Sequence, residues 1–359
     1  MTGEERKYLI DPYRVDFESE VRDTEALEDG KTGVFLEETY FYPESGGQPA
    51  DRGSLNGMDV MDVQETDKGI MHVVEEGLGK GDKVSGKVDM KRRFDHMQQH
   101  SGQHLLSRVF LDDYSLRTIG FHLGERTCTI DLDGESANEK QCAAVEQRCN
   151  KLIWDNIPIG GRTVTREEYE QMSVGDVRSR LPAGTEEIRI VEISELDRST
   201  CCGTHVRTTG EIGMIKILRV ERVKGGPRIE FVCGARALED YAGKHAMLAS
   251  LAGRFSTDWT ELERVIDKLT DENKSHRKKI DELGTELARF RATELSQPTA
   301  TIGEYGVVRR LFDDEDAGAL RETANEVRGQ GKMIVLFAAA VPKPSLIFAC
   351  SKDVPLDMG

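Results

Sequence analysis

Four residues of the types that bind transition metals occur as two pairs with the same spacing. His100 and His104 lie in the segment HSGQHLLS, and Cys201 and His205 lie in TCCGTHVRTTG. The first segment has the pattern of a helix, where residues four apart share a face, so both imidazoles can point at one ion. One thiolate and three imidazoles suit zinc better than magnesium or calcium, which prefer oxygen ligands. The two pairs together predict one Zn²⁺ ion per chain.

His96 offers an alternative for the first pair because it lies four residues before His100. We choose His100 and His104 as ligands since the two residues that follow His100, serine and glycine, are small and allow close approach. His96 adjoins a pair of arginines, and we interpret it as a polar neighbour of a substrate. Either pair alone would more often be a coincidence than a metal site.

The glycine-rich segment TYFYPESGGQPADRG, residues 39–53, is a second candidate site. Gly46 and Gly47 permit backbone conformations that other residues resist and let a ligand approach the main chain closely. Thr39 and Gln48 add a hydroxyl and an amide, which are groups that recognise a small polar substrate. An ordinary hairpin loop is the alternative interpretation.

Composition limits the class of protein. A chain of 359 residues predicts two or three domains. The longest apolar run, residues 333–341, is too short to span a bilayer, and the charged N-terminus lacks the apolar stretch of a secretory signal. Seven scattered cysteines fit a reducing compartment, where paired Cys and His more often mean metal than disulfide. We therefore expect a cytoplasmic protein.

The net charge of −16 argues against a nucleic-acid partner, but basic residues cluster locally. Residues 87–93 (KVDMKRR) carry four positive charges and one negative, and residues 216–228 (KILRVERVKGGPR) carry five and one. A protein that contacts a limited stretch of phosphates needs only such a patch. Composition alone leaves two solvated faces as an equal alternative.

The pattern along the chain predicts an α+β fold in four parts. Residues 1–88 show short apolar stretches between Gly and Asp turns, typical of a small β-barrel-like domain. Residues 89–234 predict an α+β domain. Its predicted elements are helices over 89–110 and 138–156 and strands over 188–193, 212–220 and 229–233, with the cysteine motif between the first two strands.

Two further parts follow. Residues 235–296 show apolar spacings of three and four, which predict a helical hairpin or coiled coil. We favour a role in homodimerisation, together with the C-terminal domain, over a role as a spacer. Residues 297–359 predict a small β-α-β-β domain, which is thin for an independent core, so we expect a missing segment or packing against a partner.

Three segments in this order resemble one known family. TYFYPESGGQPADRG, RRFDHMQQHSGQHLLS and CCGTHVRTTGEIG resemble the editing domain of alanyl-tRNA synthetase, and most of all the long form of its freestanding relatives, the AlaX alanyl-tRNA editing proteins. The helical and C-terminal region is similar to the C-terminal part of the synthetase. The editing domain of threonyl-tRNA synthetase shares the His and Cys pairs, but the Gly-Gly-Gln and Thr-Gly-Glu-Ile-Gly elements fit the alanine branch better.

The resemblance implies editing in trans, the hydrolysis of serine mischarged on alanine tRNA, and leaves glycine open as a second substrate. Nothing in the chain resembles the adenylate-forming class II core of the synthetase, and residues 1–88 are too few for it, so we expect no aminoacylation. Two departures stand out: Cys202 replaces a glycine of the family's Cys-Gly-Gly-Thr-His motif and could compete with Cys201, and the chain ends at LDMG without the family's glycine-rich stretch.

The resemblance also implies roles for individual residues. Thr39 would contact the serine hydroxyl, and Gln48 would orient the substrate or water. Together with His96, the polar neighbour of the substrate, they are the predicted catalytic residues. Gly46 and Gly47 would admit the substrate. The residues expected to hold the phosphates of the tRNA acceptor stem are basic: Lys91, Arg92, Arg93, Lys216, Arg219, Arg222, Lys224 and Arg228.

If all four side chains bind zinc, the tetrahedral site is filled, so a positioning role for the zinc is favoured over activation of water.

Two other classes of protein stay open. A non-catalytic tRNA-binding or synthetase-accessory protein would keep such a zinc for folding alone. A different zinc hydrolase would act on small free esters or amides.

Overall fold

The computed structural model describes residues 5–28, 30–75, 77–172, 187–341 and 343–355. The LDMG terminus, residues 356–359, therefore lies outside the described residues. The chain divides into two compact units, residues 1–245 and 246–359, and each is described by itself. No helix within the described ranges combines the length and the apolar character that crossing a membrane requires.

The first unit begins with short strands: β1 (Glu5–Arg6), β2 (Asp16–Ala26), β3 (Thr32–Leu36), β4 (Glu38–Thr39), β5 (Gly53–Leu55), β6 (Met58–Val60), β7 (Asp62–Thr66), β8 (Gly69–Val74) and β9 (Lys83–Val88). Among the described residues, seven of them form an antiparallel sheet in the order β6-β5-β9-β2-β3-β8-β7. The Met61 N–H, between β6 and β7, donates to Val73 O of β8 at 2.9 Å. The sheet therefore nearly closes on itself, which agrees with the predicted barrel-like fold.

Alternation explains how this sheet forms a core. Along β9 every second residue is buried, because successive side chains of a strand point to opposite faces. Val84 and Val88 of β9 pack with Phe17 of β2 and Val34 of β3 in the interior. The glycine segment follows β4 and returns to the sheet at β5, so its loop is held at both ends.

The rest of the first unit is mixed: α1 (Met90–Tyr114), β10 (Thr118–Leu123), β11 (Cys128–Leu132), α2 (Glu139–Trp154), β12 (Ile159–Thr165), α3 (Arg166–Gln171), β13 (Glu187–Ile193), β14 (Asp197–Thr200), β15 (Ile215–Val223) and β16 (Gly226–Cys233). Two further sheets have the orders β10-β11-β16-β15 and β12-β13-β14. The α+β class is thus confirmed. The strand predicted from 212 begins at Ile215, because residues 209–212 form a 3-10 turn.

Helix α1 carries the predicted histidine pair and is buried along most of its length. It begins after Asp89, whose side chain accepts from the Arg92 N–H at 3.2 Å. Each described residue from 96 to 107 is buried, including polar ones. Buried polar groups need hydrogen-bond partners, so this helix must be surrounded by polar contacts from other elements.

The remaining elements are α4 (Gly234–Arg254), α5 (Leu262–Glu294), β17 (Ala300–Ile302), β18 (Tyr305–Asp314), α6 (Ala317–Arg328), β19 (Met333–Val341) and β20 (Ser345–Cys350). In the second unit, α6 and the end of α5 cover one face of a β17-β18-β19-β20 sheet, with Ala292, Leu320 and Val335 in that core. Both long helices lie where the sequence predicts helix. The coiled coil and the domain boundaries of the sequence analysis stay predictions.

Candidate metal centre

The two residue pairs singled out by spacing lie together in the interior of the first unit. His100, His104, Cys201 and His205 each offer one ligand atom, and these atoms all lie within 4.8 Å of one another. Helix α1 supplies two imidazoles one turn apart, and the loop after β14 supplies the thiol and the third imidazole. Cys201 Sγ lies 3.3 Å from both His100 Nε2 and His205 Nε2. In the described part of the chain, the group includes neither His96 nor Cys202, and it could hold a metal ion.

The three imidazoles share a second property, since each also bonds through its other ring nitrogen. The Nδ1 contacts are His100 to Gln48 Oε1 at 2.8 Å, His104 to Ser199 Oγ at 2.7 Å and His205 to Ser101 Oγ at 3.1 Å. Such outer hydrogen bonds fix the ring orientation of metal-binding histidines and leave Nε2 for the ion. This donor set therefore fits a metal of the zinc type.

The protonation states also suit metal binding. Burial by itself would raise the pKa of the Cys201 thiol, but His100 and His205 beside it bring that pKa well below its usual value. Burial lowers the pKa of His205 to about 3. A thiolate and a neutral imidazole are the forms that bind metal. The Gly203 N–H adds a hydrogen bond to Cys201 Sγ at 3.3 Å.

The glycine loop packs directly against this centre. Gly46 and Gly47 both have positive φ, 57° and 86°, where glycine is favoured. Gly47 O accepts from the Leu123 N–H at 3.0 Å, and a Cβ on Gly47 would lie 2.8 Å from Phe121 O. The Phe121 ring lies 5.3 Å from the His100 ring. The loop therefore packs beside Phe121, whose ring lies next to His100. That a substrate approaches the two glycines stays a prediction.

The three predicted catalytic side chains are all buried. Thr39 and Gln48 are fully inaccessible, and His96 is 2% exposed. Thr39 Oγ1 lies 2.7 Å from His72 Nε2 and accepts from the Phe41 N–H. Burial, followed by the charge of Arg92, lowers the pKa of His96 to about 3. Gln48 contacts the metal centre, and the catalytic roles of all three stay predictions.

The structure disagrees with the predicted role of Arg93. We expected it to hold tRNA phosphates, but its side chain is fully buried and pairs with the buried carboxylate of Asp51. Its remaining donors bond to Pro12 O at 2.8 Å and Tyr40 O at 2.6 Å. A guanidinium with these partners is a structural group of the fold and is not available to phosphate.

The other basic residues have mixed surroundings. Lys91, Arg219, Arg222 and Lys224 are exposed. Several of the basic residues already have protein partners: Arg219 pairs with Glu221 at 3.0 Å, Lys216, which is also exposed, pairs with Glu146 at 2.8 Å, Arg228 pairs with Asp131 at 2.6 Å, and Arg92 donates to Ala50 O at 3.0 Å. Lys224 and Gly225 form the turn between β15 and β16. Contacts of these residues with tRNA stay predictions.

The sequence analysis did not predict several residues that contact or adjoin the four candidate ligands. Ser101 and Thr204 lie inside the quoted motifs, next to ligands, and this position was the available indication. Ser199 and Arg189 lie on β14 and β13, outside any motif. Arg189 donates to Cys201 O at 2.8 Å and Gly203 O at 2.9 Å, and so holds the cysteine loop in place.

Two family models match the segments of the chain that contain the predicted motifs. Residues 188–230 match a family described as the threonyl and alanyl tRNA synthetase second additional domain, and residues 14–92 match one described as tRNA synthetases class II (A). The first match contains the cysteine motif, and the second contains the glycine segment and the start of α1.

Relatives align along most of the chain. An alanyl-tRNA editing protein AlaX-L of Pyrococcus horikoshii is 32% identical over 99% of this chain and 88% of its own length. The alanyl-tRNA editing protein Aarsd1 of Rattus norvegicus is 34% identical over 84% of this chain and 73% of its own length. An alanine–tRNA ligase of Halorubrum lacusprofundi is 33% identical over 99% of this chain, which spans 39% of that ligase. The chain therefore belongs to the AlaX-type alanyl-tRNA editing proteins.

Proposed function

We propose that this chain is a zinc-dependent hydrolase that edits in trans, cleaving the ester of serine mischarged on alanine tRNA. The observation that carries the proposal is the buried group of three imidazoles and one thiol, each imidazole oriented by an outer hydrogen bond. The names of the relatives, which describe alanyl-tRNA editing proteins, support the substrate class.

The arrangement favours a positioning role for the metal. His100, His104, Cys201 and His205 together would hold the zinc ion with four protein ligands, and the ion would supply fixed positive charge to orient an electron-rich group of the substrate. Cys201 is partly exposed, whereas the three histidines are buried. The substrate would then approach from the Cys201 side, where the Gly203 N–H bonds to the sulfur, while the Phe121 ring lies beside His100.

Selection of serine over alanine needs a group that bonds to the serine hydroxyl, because exclusion by size cannot reject the smaller alanine. Thr39 is our candidate, and its neighbours define what it can offer. His72 Nδ1 lies 3.0 Å from Val34 O, which only accepts, so Nδ1 carries the hydrogen and Nε2 must accept from the Thr39 hydroxyl. Thr39 would then accept from the serine hydroxyl. Because Thr39 is fully buried, the residues around it would have to move before the serine hydroxyl could reach it.

We propose that the partner is the acceptor stem of alanine tRNA. The exposed Lys91, Arg219, Arg222 and Lys224 would meet its phosphates. We also keep the homodimer as a proposal. Within the second unit, α5 exposes Ile280, Leu283 and Leu287 at spacings of three and four, an apolar row that a second copy would bury. A cytoplasmic location is proposed from the sequence alone.

The test of substrate follows the loss of serine, glycine and alanine from the same alanine tRNA. We expect serine to be released at least about a hundredfold faster than alanine, since a hydroxyl-binding site discriminates strongly. The Thr39→Val variant should lose most of this ratio, while a Thr163→Val variant on β12 should keep it. Equal loss of serine from tRNA and from a free seryl ester would instead identify a general esterase.

A second candidate function has one observation in its favour. Four protein ligands without an open position are typical of structural zinc sites. A non-catalytic tRNA-binding protein would bind mischarged tRNA tightly without releasing any amino acid, and the same assay distinguishes the two.

A further inference from the structure

The side-chain amide of Gln48 joins three segments that are distant in sequence. It lies next to the paired glycines of the loop, and its Oε1 lies 2.8 Å from His100 Nδ1 on α1. The same oxygen accepts from the Thr204 N–H at 3.3 Å, and Nε2 donates to Thr204 Oγ1 at 2.9 Å. Gln48 and Thr204 are both completely buried. Both ends of the amide are therefore occupied by protein groups.

The Thr204 backbone fixes which way this amide points. The oxygen and nitrogen of a glutamine amide have nearly the same shape, so their hydrogen bonds must decide the orientation. The Thr204 N–H can only donate, so the amide atom that faces it must be the oxygen. That oxygen also faces His100 Nδ1, which must then carry the hydrogen. In the neutral form of the ring, Nε2 is then the nitrogen without a hydrogen, and it lies 3.3 Å from Cys201 Sγ.

We propose that Gln48 is a positioning residue of the metal centre, which sets the tautomer and ring orientation of His100, a role that rests on zinc binding in the proposed function. It replaces the role we expected from the sequence, in which Gln48 orients the substrate or water. The amide is completely buried, its oxygen faces two protein donors and its nitrogen donates one hydrogen to Thr204 Oγ1, so its printed contacts lie with the centre and the cysteine loop.

Gly203 leaves the space that this contact needs. A Cβ at that position would lie 2.3 Å from His100 Nδ1 and 3.0 Å from Gln48 Oε1. The cysteine loop, the glycine loop and α1 therefore meet around one hydrogen bond.

The test measures metal affinity without any tRNA. Metal-free wild-type protein, Gln48→Met and Gln48→Glu are titrated with Co²⁺ and with Zn²⁺ in competition with a chromophoric chelator. We expect Gln48→Met to bind roughly 10–100-fold more weakly, which is the usual cost of losing an outer partner of a metal ligand. Gln48→Glu keeps an acceptor for the His100 N–H and should bind within about threefold of wild type.

The matched control is Gln98→Met, which removes another buried glutamine of the same unit. Gln98 donates to Glu211 O and accepts from the Ala235 N–H, with no contact to a ligand atom. We expect wild-type affinity for this variant. Unchanged affinity in Gln48→Met, with slower deacylation at saturating zinc, would overturn the positioning role and restore the substrate role.

A second measurement needs no variant. In zinc-loaded wild-type protein with ¹⁵N-labelled histidine, we expect His100 to show a protonated Nδ1 and a metal-bound Nε2. Metal bound through Nδ1 of His100 would overturn the proposal even if Gln48→Met does not fold. Wild-type protein that binds no Co²⁺ at all would overturn the metal site itself, a result separate from failure of the Gln48 variant alone.

Discussion

Ser199 Oγ lies 2.7 Å from His104 Nδ1, on the side of the imidazole that faces away from Cys201. Asp197 of the same strand lies behind it, with Oδ2 3.9 Å from the same nitrogen. Strand β14 therefore orients a histidine of α1 with a hydroxyl, as Gln48 does with an amide. A metal bound by these four residues would depend on this outer set of side chains as well as on the four residues themselves.

Replacement of Ser199 by alanine should weaken metal binding by roughly tenfold, since His104 loses the partner that holds its ring. Competition with a chelator measures this. The matched control is Ser107→Ala on α1, because Ser107 is also buried but bonds to Gln103 and Thr118. An equal loss of affinity in both variants would show a general effect of the packing around α1 and contradict the specific role.

Gly203→Ala should destabilise the first unit and weaken metal binding. The new Cβ would lie 2.2 Å from His100 Cε1, and overpacking of this kind costs about 1–3 kcal/mol. Urea unfolding of the metal-free protein gives the change in free energy. Gly160→Ala is the control, because a Cβ there meets nothing within 4 Å. If Gly203→Ala binds metal as tightly as Gly160→Ala, the close approach of loop and ligand is not needed.

Metal-free protein should lose stability as the pH falls, in part through His72. Burial lowers the pKa of His72 to about 4, whereas an unfolded chain binds that proton near pH 6.5. The unfolded state then holds more protons between these values, so the contribution of His72 is complete above pH 6.5 and declines towards pH 4.

The expected decline is about 1.4 kcal/mol per pH unit for this one group. Urea unfolding at several pH values should show a smaller dependence for His72→Gln. His122→Gln, at an exposed position on β10, should behave as the wild type. An identical pH dependence in His72→Gln and wild type would mean that His72 is not the group responsible.

Replacing Lys91 and replacing Arg93, two residues apart on α1, should affect different properties of the protein. Arg93→Gln leaves the buried Asp51 without its partner, so we expect a loss of about 3–5 kcal/mol in the free energy of unfolding. Lys91→Gln should leave stability unchanged and reduce the salt dependence of tRNA binding by about one unit of slope. A Lys91→Gln variant with an unchanged salt slope would remove this residue from the tRNA surface.

The sequence predicted the grouping of His100, His104, Cys201 and His205 because their chemistry and their spacing coincide. Two histidines one helical turn apart and a cysteine with a histidine in a glycine-containing loop restrict the possible site before any fold is known. The helix α1 and the order β18-α6-β19-β20 in the second unit were also predictable, since periodic apolar patterns decide them locally. The short strand β17, which precedes them, was not predicted.

The partners of those ligands could not be predicted in the same way. Strand β14 is polar, DRST, so no apolar alternation indicated that Ser199 would face a histidine. The charge of Arg93 suggested phosphate, yet its partner Asp51 lies in the glycine segment, and a pairing across 42 residues depends on tertiary structure. Gln48 was identified by its motif, but its role required the position of the Thr204 N–H.

The most direct test of zinc-dependent editing is a titration of metal-free protein with Zn²⁺ while the release of serine from alanine tRNA is followed. We predict that the rate rises to a maximum at one zinc per chain and that Cys201→Ala, which removes a ligand, stays inactive at that stoichiometry. Full activity of the metal-free wild-type protein, or of Cys201→Ala without zinc, would contradict the account.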